Sequence, residues 1–235
     1  MQEAWEILAK MNPERFDRQN LPVVGEKERA AILNPQAELM RIMQEEQRKL
    51  TPTRMMNAHV PKRFYRATLG APLNASPSIC ASVAEVKRYA DAIDENIRDG
   101  KGLLLYGDVG TGKTTQAVAV LKAALRRGYG AFFIPMVQLV DNLLTMSREE
   151  RRDFEQRITK VSLLVLDDLG AEQAQAWVVN KIDAIVTARY NGMKPMIITT
   201  NIDVETAGVD KYNMRTIDRL VEMCSVVKFS GRSMR

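Results

Sequence analysis

The sequence predicts an α/β protein whose main domain is a parallel sheet covered by helices on both faces. Three observations lead there. From Ser82 onward short apolar runs alternate with amphipathic segments, the glycine-rich stretch Gly107-Asp-Val-Gly-Thr-Gly-Lys113-Thr114 follows one apolar run directly, and Leu163-Leu-Val-Leu-Asp167-Asp168 ends another in two carboxylates. Strands that are apolar on both sides belong to sheets buried on both faces.

The first 49 residues are polar and helix-forming, with Ala31, Ile32, Leu39, Met40 and Met43 at helical spacing, and Asn12-Pro13, Leu21-Pro22 and Asn34-Pro35 cut them into short helices. Residues 1–50 are therefore expected to form a small all-helical region. Prolines at 52, 61, 72 and 77 mark residues 51–80 as a linker and lead-in, and the main domain is expected over 81–235. Ser82-Val-Ala-Glu85 has the form of a capping box and predicts a helix to about Arg98, after which Gly100 and Gly102 frame a turn into the strand GLLLY. A helix over 113–127 closes at Gly128, and the strand AFFIP follows. Helices are expected over 137–145 and again after a second capping box, Ser147-Arg-Glu-Glu150. The strand SLLVLD, a helix over 173–191, the strand PMIITT, a helix over 213–222 and the strand SVVKF complete the series.

A chain of 235 residues, 46% of them hydrophobic, is long enough to bury a sizeable core. Its two cysteines, Cys80 and Cys224, and its single histidine, His59, cannot assemble a zinc cluster or a disulfide framework, which suits a reducing cytoplasm. No signal-like N-terminus and no apolar run of bilayer length is visible, so neither export nor membrane insertion is expected. The net charge is +5. Residues 1–60 are balanced at nine basic and nine acidic residues, leaving 25 against 20 in 61–235. That excess permits a polyanionic partner.

The glycine-rich stretch matches G-x-x-x-x-G-K-S/T between a predicted strand and a predicted helix, the context that a phosphate-binding loop requires. Gly107, Asp108, Val109, Gly110, Thr111, Gly112, Lys113, Thr114 and Thr115 would cradle the phosphates of ATP, because glycines let backbone N–H groups approach them and the helix N-terminus favours negative charge. Lys113 would reach the β- and γ-phosphates, and the Thr114 hydroxyl would ligate Mg²⁺. At the end of a neighbouring strand Asp167 would hold the same Mg²⁺ through water, while Asp168 polarises the attacking water. Asn201, closing the strand IITTN, would place an amide beside that water; read alone, it is equally a turn residue.

Five segments together resemble the DnaC/IstB group of AAA+ ATPases: VPKRFYRATL (60–69), GKGLLLYGDVGTGKT (100–114), LLVLDDLGAE (163–172), ARYNGMKPMIITTN (188–201) and RTIDRL (215–220). The resemblance covers residues 60–235. It implies a five-stranded AAA+ P-loop core, Asp167 and Asp168 as the acids of Walker B, Asn201 as sensor 1 and Arg219 as the arginine finger. By its own spacing Arg219 has the alternative of pairing with Asp218, Glu222 or solvent. The second Walker B acid is Asp168 where many AAA+ enzymes carry Glu, which implies slow turnover. GRSMR follows the last strand closely, so the helical lid of many AAA+ proteins is not expected, and Arg232 or Arg235 is a candidate nucleotide contact.

By the same resemblance the protein is expected to be a helicase loader. Its N-terminal helices would dock a DnaB-type replicative helicase hexamer, and its subunits would associate on that partner and on single-stranded DNA, with hydrolysis switching release. The segment 147–158, with Phe154 and Ile158 on one face and arginines around the rest, occupies the region where initiators and loaders line a path for single-stranded DNA; a solvated charged face is the other reading. An IstB-like ATPase acting on duplex DNA for a transposase is the alternative. A metabolite kinase is a third, without support from Asn201, Arg219 or the N-terminal helices.

Overall fold

The computed structural model describes residues 50–71, 75–170, 176–203 and 212–233. The chain divides into two units, residues 1–49 and 50–235; the expected N-terminal helices fall on the first, outside the described residues. Five parallel strands form the sheet of the second unit: β1 (Gly102–Gly107), β2 (Ala131–Pro135), β3 (Leu163–Leu169), β4 (Met196–Thr200) and β5 (Cys224–Phe229). Their order is β2-β3-β4-β1-β5. This topology is the five-stranded parallel α/β core that the sequence leads one to expect.

Helices α1 (Pro52–Asn57), α2 (Pro77–Asp91), α3 (Ile93–Arg98) and α4 (Lys113–Arg126) precede or interleave the first strands. They are followed by α5 (Met136–Thr145), α6 (Arg148–Lys160), α7 (Ala176–Asn191) and α8 (Met214–Met223). One face of the sheet packs against α1–α4, and the other packs against α5–α8. Central β1 is buried over Gly102–Tyr106, as a strand covered on both sides must be, whereas edge strand β5 exposes Ser225 and Lys228. The capping box at Ser147 forms as expected, with reciprocal bonds between Ser147 and Glu150.

The helix start expected at Ser82 lies elsewhere. Ser76 caps α2, accepting from the Ile79 N–H at 3.3 Å, with Pro77 just inside. Serine followed by proline is the stronger start, because proline gives up only an N–H that has no helical partner there. The periodic set Ile79, Val83, Val86 and Ala90 also needs the earlier turn to complete its buried face. Ser82 is buried mid-helix, and its hydroxyl donates to the Ser78 and Lys228 carbonyls. The single helix expected to Arg98 breaks at Ala92 into α2 and α3.

Residues 50–71 lie on the same core. Met55, Ala58 and Val60 are buried, and the Ala58 carbonyl accepts from the Phe133 N–H at 2.8 Å, which covers part of the open edge of β2. Two α4 side chains hold the rest. Lys122 Nζ donates to the carbonyls of Tyr65 and Ala67, and Gln116 Nε2 to that of Gly70.

Candidate nucleotide-binding site

Between β1 and α4 the backbone turns through three left-handed glycines: Gly107 at φ 122°, Gly110 at 80° and Gly112 at 89°. Side chains there would be strained, and a Cβ on Gly107 would stand 2.3 Å from the Phe229 carbonyl oxygen. Thr111 is buried, and its hydroxyl donates to the Asp108 carbonyl at 2.7 Å, tightening the loop on itself. Lys113 is buried at the first turn of α4, with Nζ donating to the carbonyls of Gly107 and Asp108 at 2.7 Å each. The ammonium therefore sits inside the loop, beside the N-terminus of a fourteen-residue helix. Val109, at the tip, is exposed.

The opposite wall is a break in the β3–β4 ladder. Pairing is regular to Leu166↔Ile198 and resumes at Leu169↔Thr200, so β3 carries one extra residue. Asp168 takes it up at φ 56° and projects into solvent, while Asp167 stays buried. Thr199, fully buried on β4, fastens both: its hydroxyl donates to Asp167 Oδ1 at 2.6 Å and accepts from the Asp168 N–H at 2.9 Å. Burial pushes the Asp167 carboxyl above its ordinary range, and hydrogen bonds from Thr199 and Thr114 draw it back. Lys113, Thr114 and Asp167 thus converge, with Asp168 at the rim.

Asn201 lies at the end of β4 and is exposed; Thr200 before it donates to the Leu169 carbonyl and accepts from the Ile202 N–H. Arg219 is on α8, on the face of the sheet away from α4. Its partner is Asp183 on α7, at 3.3 Å from Nη1, rather than the Asp218 or Glu222 of the local reading, with Thr187 Oγ1 as a second acceptor. Arg232 is exposed beyond β5, and Arg235 lies outside the described residues. Two contacts escaped the sequence reading. Thr199 is one, and the other is Asp108, whose side chain accepts from the Gly231 N–H at 2.9 Å and so ties the segment after β5 to the loop.

The chemistry of this donor set fits a nucleoside triphosphate with a divalent cation. A loop of backbone N–H groups and a buried ammonium suit phosphates, and a hydroxyl bonded to a carboxylate is the pair that a small, hard cation takes from a protein.

Comparison with known proteins agrees. The model of the IstB-like ATP binding protein family matches residues 85–235. The replicative helicase loader DnaI of Bacillus subtilis (strain 168) is 25% identical over 158 residues, 66% of this chain and 50% of that protein. The chain thus spans half the length of that loader. The ATP-binding protein of insertion sequence IS5376 from Geobacillus stearothermophilus is 25% identical over 178 residues, 73% of this chain and 68% of that one. Among solved structures, the crystal structure of the DnaC helicase loader superposes with a TM-score of 0.64 at 28% identity, covering 72% of this chain and 100% of that chain.

Proposed function

The chain belongs to the IstB-like ATP-binding protein family, and from that premise we propose that it loads a hexameric, DnaB-type replicative helicase onto single-stranded DNA at replication initiation. The likeness to the DnaC loader, extending over the whole of that chain, carries this reading. ATP with Mg²⁺ supplies a γ-phosphate whose presence favours one arrangement of subunits and whose loss removes that preference.

The residues divide the work. Backbone N–H groups of the loop from Gly107 to Thr115 and the Lys113 ammonium hold the phosphates, Lys113 exchanging its two loop carbonyls for phosphate oxygens. Thr114 and Asp167 would hold Mg²⁺, with Thr199 fixing the carboxylate. Asp168, aimed outward by the bulge, polarises the attacking water, and Asn201 orients it. Arg219 acts on the site of a neighbouring subunit, so turnover is slow until subunits assemble. Residues 1–50 dock the helicase.

Size-exclusion with light scattering tests this on the chain mixed with its host's replicative helicase, with and without ATP and Mg²⁺, and with residues 1–50 deleted. The expected result is a stable complex that the deletion abolishes. No complex under any condition, together with ATP-dependent assembly on duplex DNA, would move the protein to the transposase-partner role. That second reading draws on the insertion-sequence relative, which matches more of this chain than DnaI does.

A further inference from the structure

Residues 57–70 pass from the edge of β2 onto α4, and their backbone is held on both sides of Arg63. Before it, the Ala58 carbonyl accepts from the Phe133 N–H, and Arg157 of α6 donates through Nη2 to the Asn57 carbonyl at 2.7 Å. After it, Lys122 holds the carbonyls of Tyr65 and Ala67, and Gln116 holds that of Gly70. Arg63 itself sits in a short 3₁₀ turn, Lys62–Phe64, whose last ring lies 6.4 Å from that of Phe133.

The strand register brings this turn close to the phosphate site. Phe133 pairs with Val165, and Pro135 with Asp167. Alternation along the strands puts all four on one face of the sheet, the face on which Phe133, Val165 and Phe64 pack with α4. Two residues of strand rise, about 7 Å, separate the level of Phe133 from that of Asp167, a span that an arginine side chain covers. The effect is felt at the carboxylate: burial lifts Asp167, hydrogen bonds from Thr199 and Thr114 draw it back, and the Arg63 charge adds to that lowering against Asp168. Arg63 is exposed, and among the described residues it forms no ion pair. Its guanidinium lies 4.5 Å from the centre of the Phe64 ring. Stacking on a ring orients a guanidinium without neutralising it.

We propose that Arg63 is a phosphate ligand of the nucleotide site, meeting the terminal phosphate of ATP from the side opposite the glycine loop and giving the site its preference for a triphosphate. The inference rests on the reading of that site as one for ATP with Mg²⁺. The loop and Lys113 hold phosphates from the β1 side, whereas Arg63 comes from β2, at the other end of the order β2-β3-β4-β1. The ion that Asp167 would help to hold bridges the last two phosphates, so a guanidinium beside Asp167 is beside that pair, and the terminal phosphate carries the greater charge. Without nucleotide, Arg63 offsets part of the charge of the two acids. With it, the guanidinium fork matches phosphate oxygens better than an ammonium would. Arg219 lies on the other face of the sheet and can act only in trans, but Arg63 belongs to the chain whose site it serves. P-loop enzymes use arginines supplied in either way.

The test is titration calorimetry of the full chain with Mg²⁺ and either ADP or the non-hydrolysable triphosphate AMPPNP. Arg63→Gln should weaken AMPPNP about tenfold or more, the worth of a charge-assisted hydrogen bond, and ADP by less than about twofold. The same loss should appear in an Arg219→Ala background, because Arg63 acts within its own chain. Arg66→Gln removes the same charge from the same segment, between the two carbonyls that Lys122 holds, and should leave both affinities unchanged. If Arg63→Gln melts early, the ratio of the two affinities still decides, since a loosened fold weakens both nucleotides alike, and Arg63→Lys should recover part of that ratio. A wild-type ratio in Arg63→Gln, an equal loss for both nucleotides, or the same change in Arg66→Gln overturns the assignment. Wild-type protein that binds neither nucleotide overturns the ATP-site reading, and this inference with it.

Discussion

At the scale of single residues the site turns on Thr199. One hydroxyl orients the buried carboxylate of Asp167 and anchors the backbone of Asp168, so its loss releases both acids. Thr199→Val keeps the shape and removes the bonds. We expect Mg²⁺-dependent nucleotide affinity to fall about 10- to 100-fold, the usual cost of losing a group that orients a metal ligand; calorimetry with and without Mg²⁺ reads it. Asp167 itself works against the fold. Its carboxyl is raised by burial, so the stability it contributes is full below the unfolded-state pKa and is lost as pH rises toward the folded one. At pH above that range the buried carboxylate is a cost, and Asp167→Asn should raise the melting temperature there while abolishing ATP hydrolysis; a lower melting temperature would contradict this. The nine residues of the loop were legible because their spacing is local and glycine there has few other uses. Thr199 was not, although period-two alternation puts it on the same side as Ile197, the side that Asp167 shares with Val165. What the sequence lacks is the knowledge that β4 lies beside β3, a long-range pairing fixed only by the folded sheet.

At the scale of elements, Arg189 shows how α6 is held. Wholly buried near the end of α7, it donates through Nη1 to the carbonyls of Ile158 and Val161, at the C-terminus of α6, and through Nη2 to that of Pro195, just before β4. Burial pulls its pKa down to about 9, so it remains charged at neutral pH. One cation thus satisfies carbonyls that end a helix and enter a strand. Arg189→Ala would strand those carbonyls and detach the helix that carries Arg157, and should cost about 3 kcal/mol in urea unfolding; a change below about 1 kcal/mol would show that water replaces it. Periodicity located α6, with Phe154 and Ile158 both buried as their shared face implied. It gave no hint of Arg189 as a staple, since a lone arginine in a helical pattern reads as surface. The start of α2 was misplaced for a related reason. Two serines with capping chemistry lie six residues apart, and tertiary burial of Ile79 decides between them.

At the scale of the whole molecule, the phosphate loop and Arg219 lie apart within one chain. Lys113, Thr114 and Asp167 converge on one face of the sheet, while Arg219 is held by Asp183 on the other, so a role for Arg219 in hydrolysis requires a second copy. Asp183 also accepts from Thr216 at 2.7 Å, and the bonds to Asp183 and Thr187 both use Arg219 Nη1. A guanidinium carries five donors in a fork, so anchoring through one nitrogen aims the side chain without consuming it. Two inactive proteins make the test. Lys113→Ala lacks its own phosphate grip but keeps the arginine, and Arg219→Ala keeps the grip but lacks the arginine, which is worth about 10³-fold or more when supplied in trans. Each should be inactive alone in the presence of helicase and single-stranded DNA, and mixing them should restore turnover that rises with total protein concentration. A mixture as inactive as its parts would place Arg219 in the structural pairing with Asp183, with no part in hydrolysis.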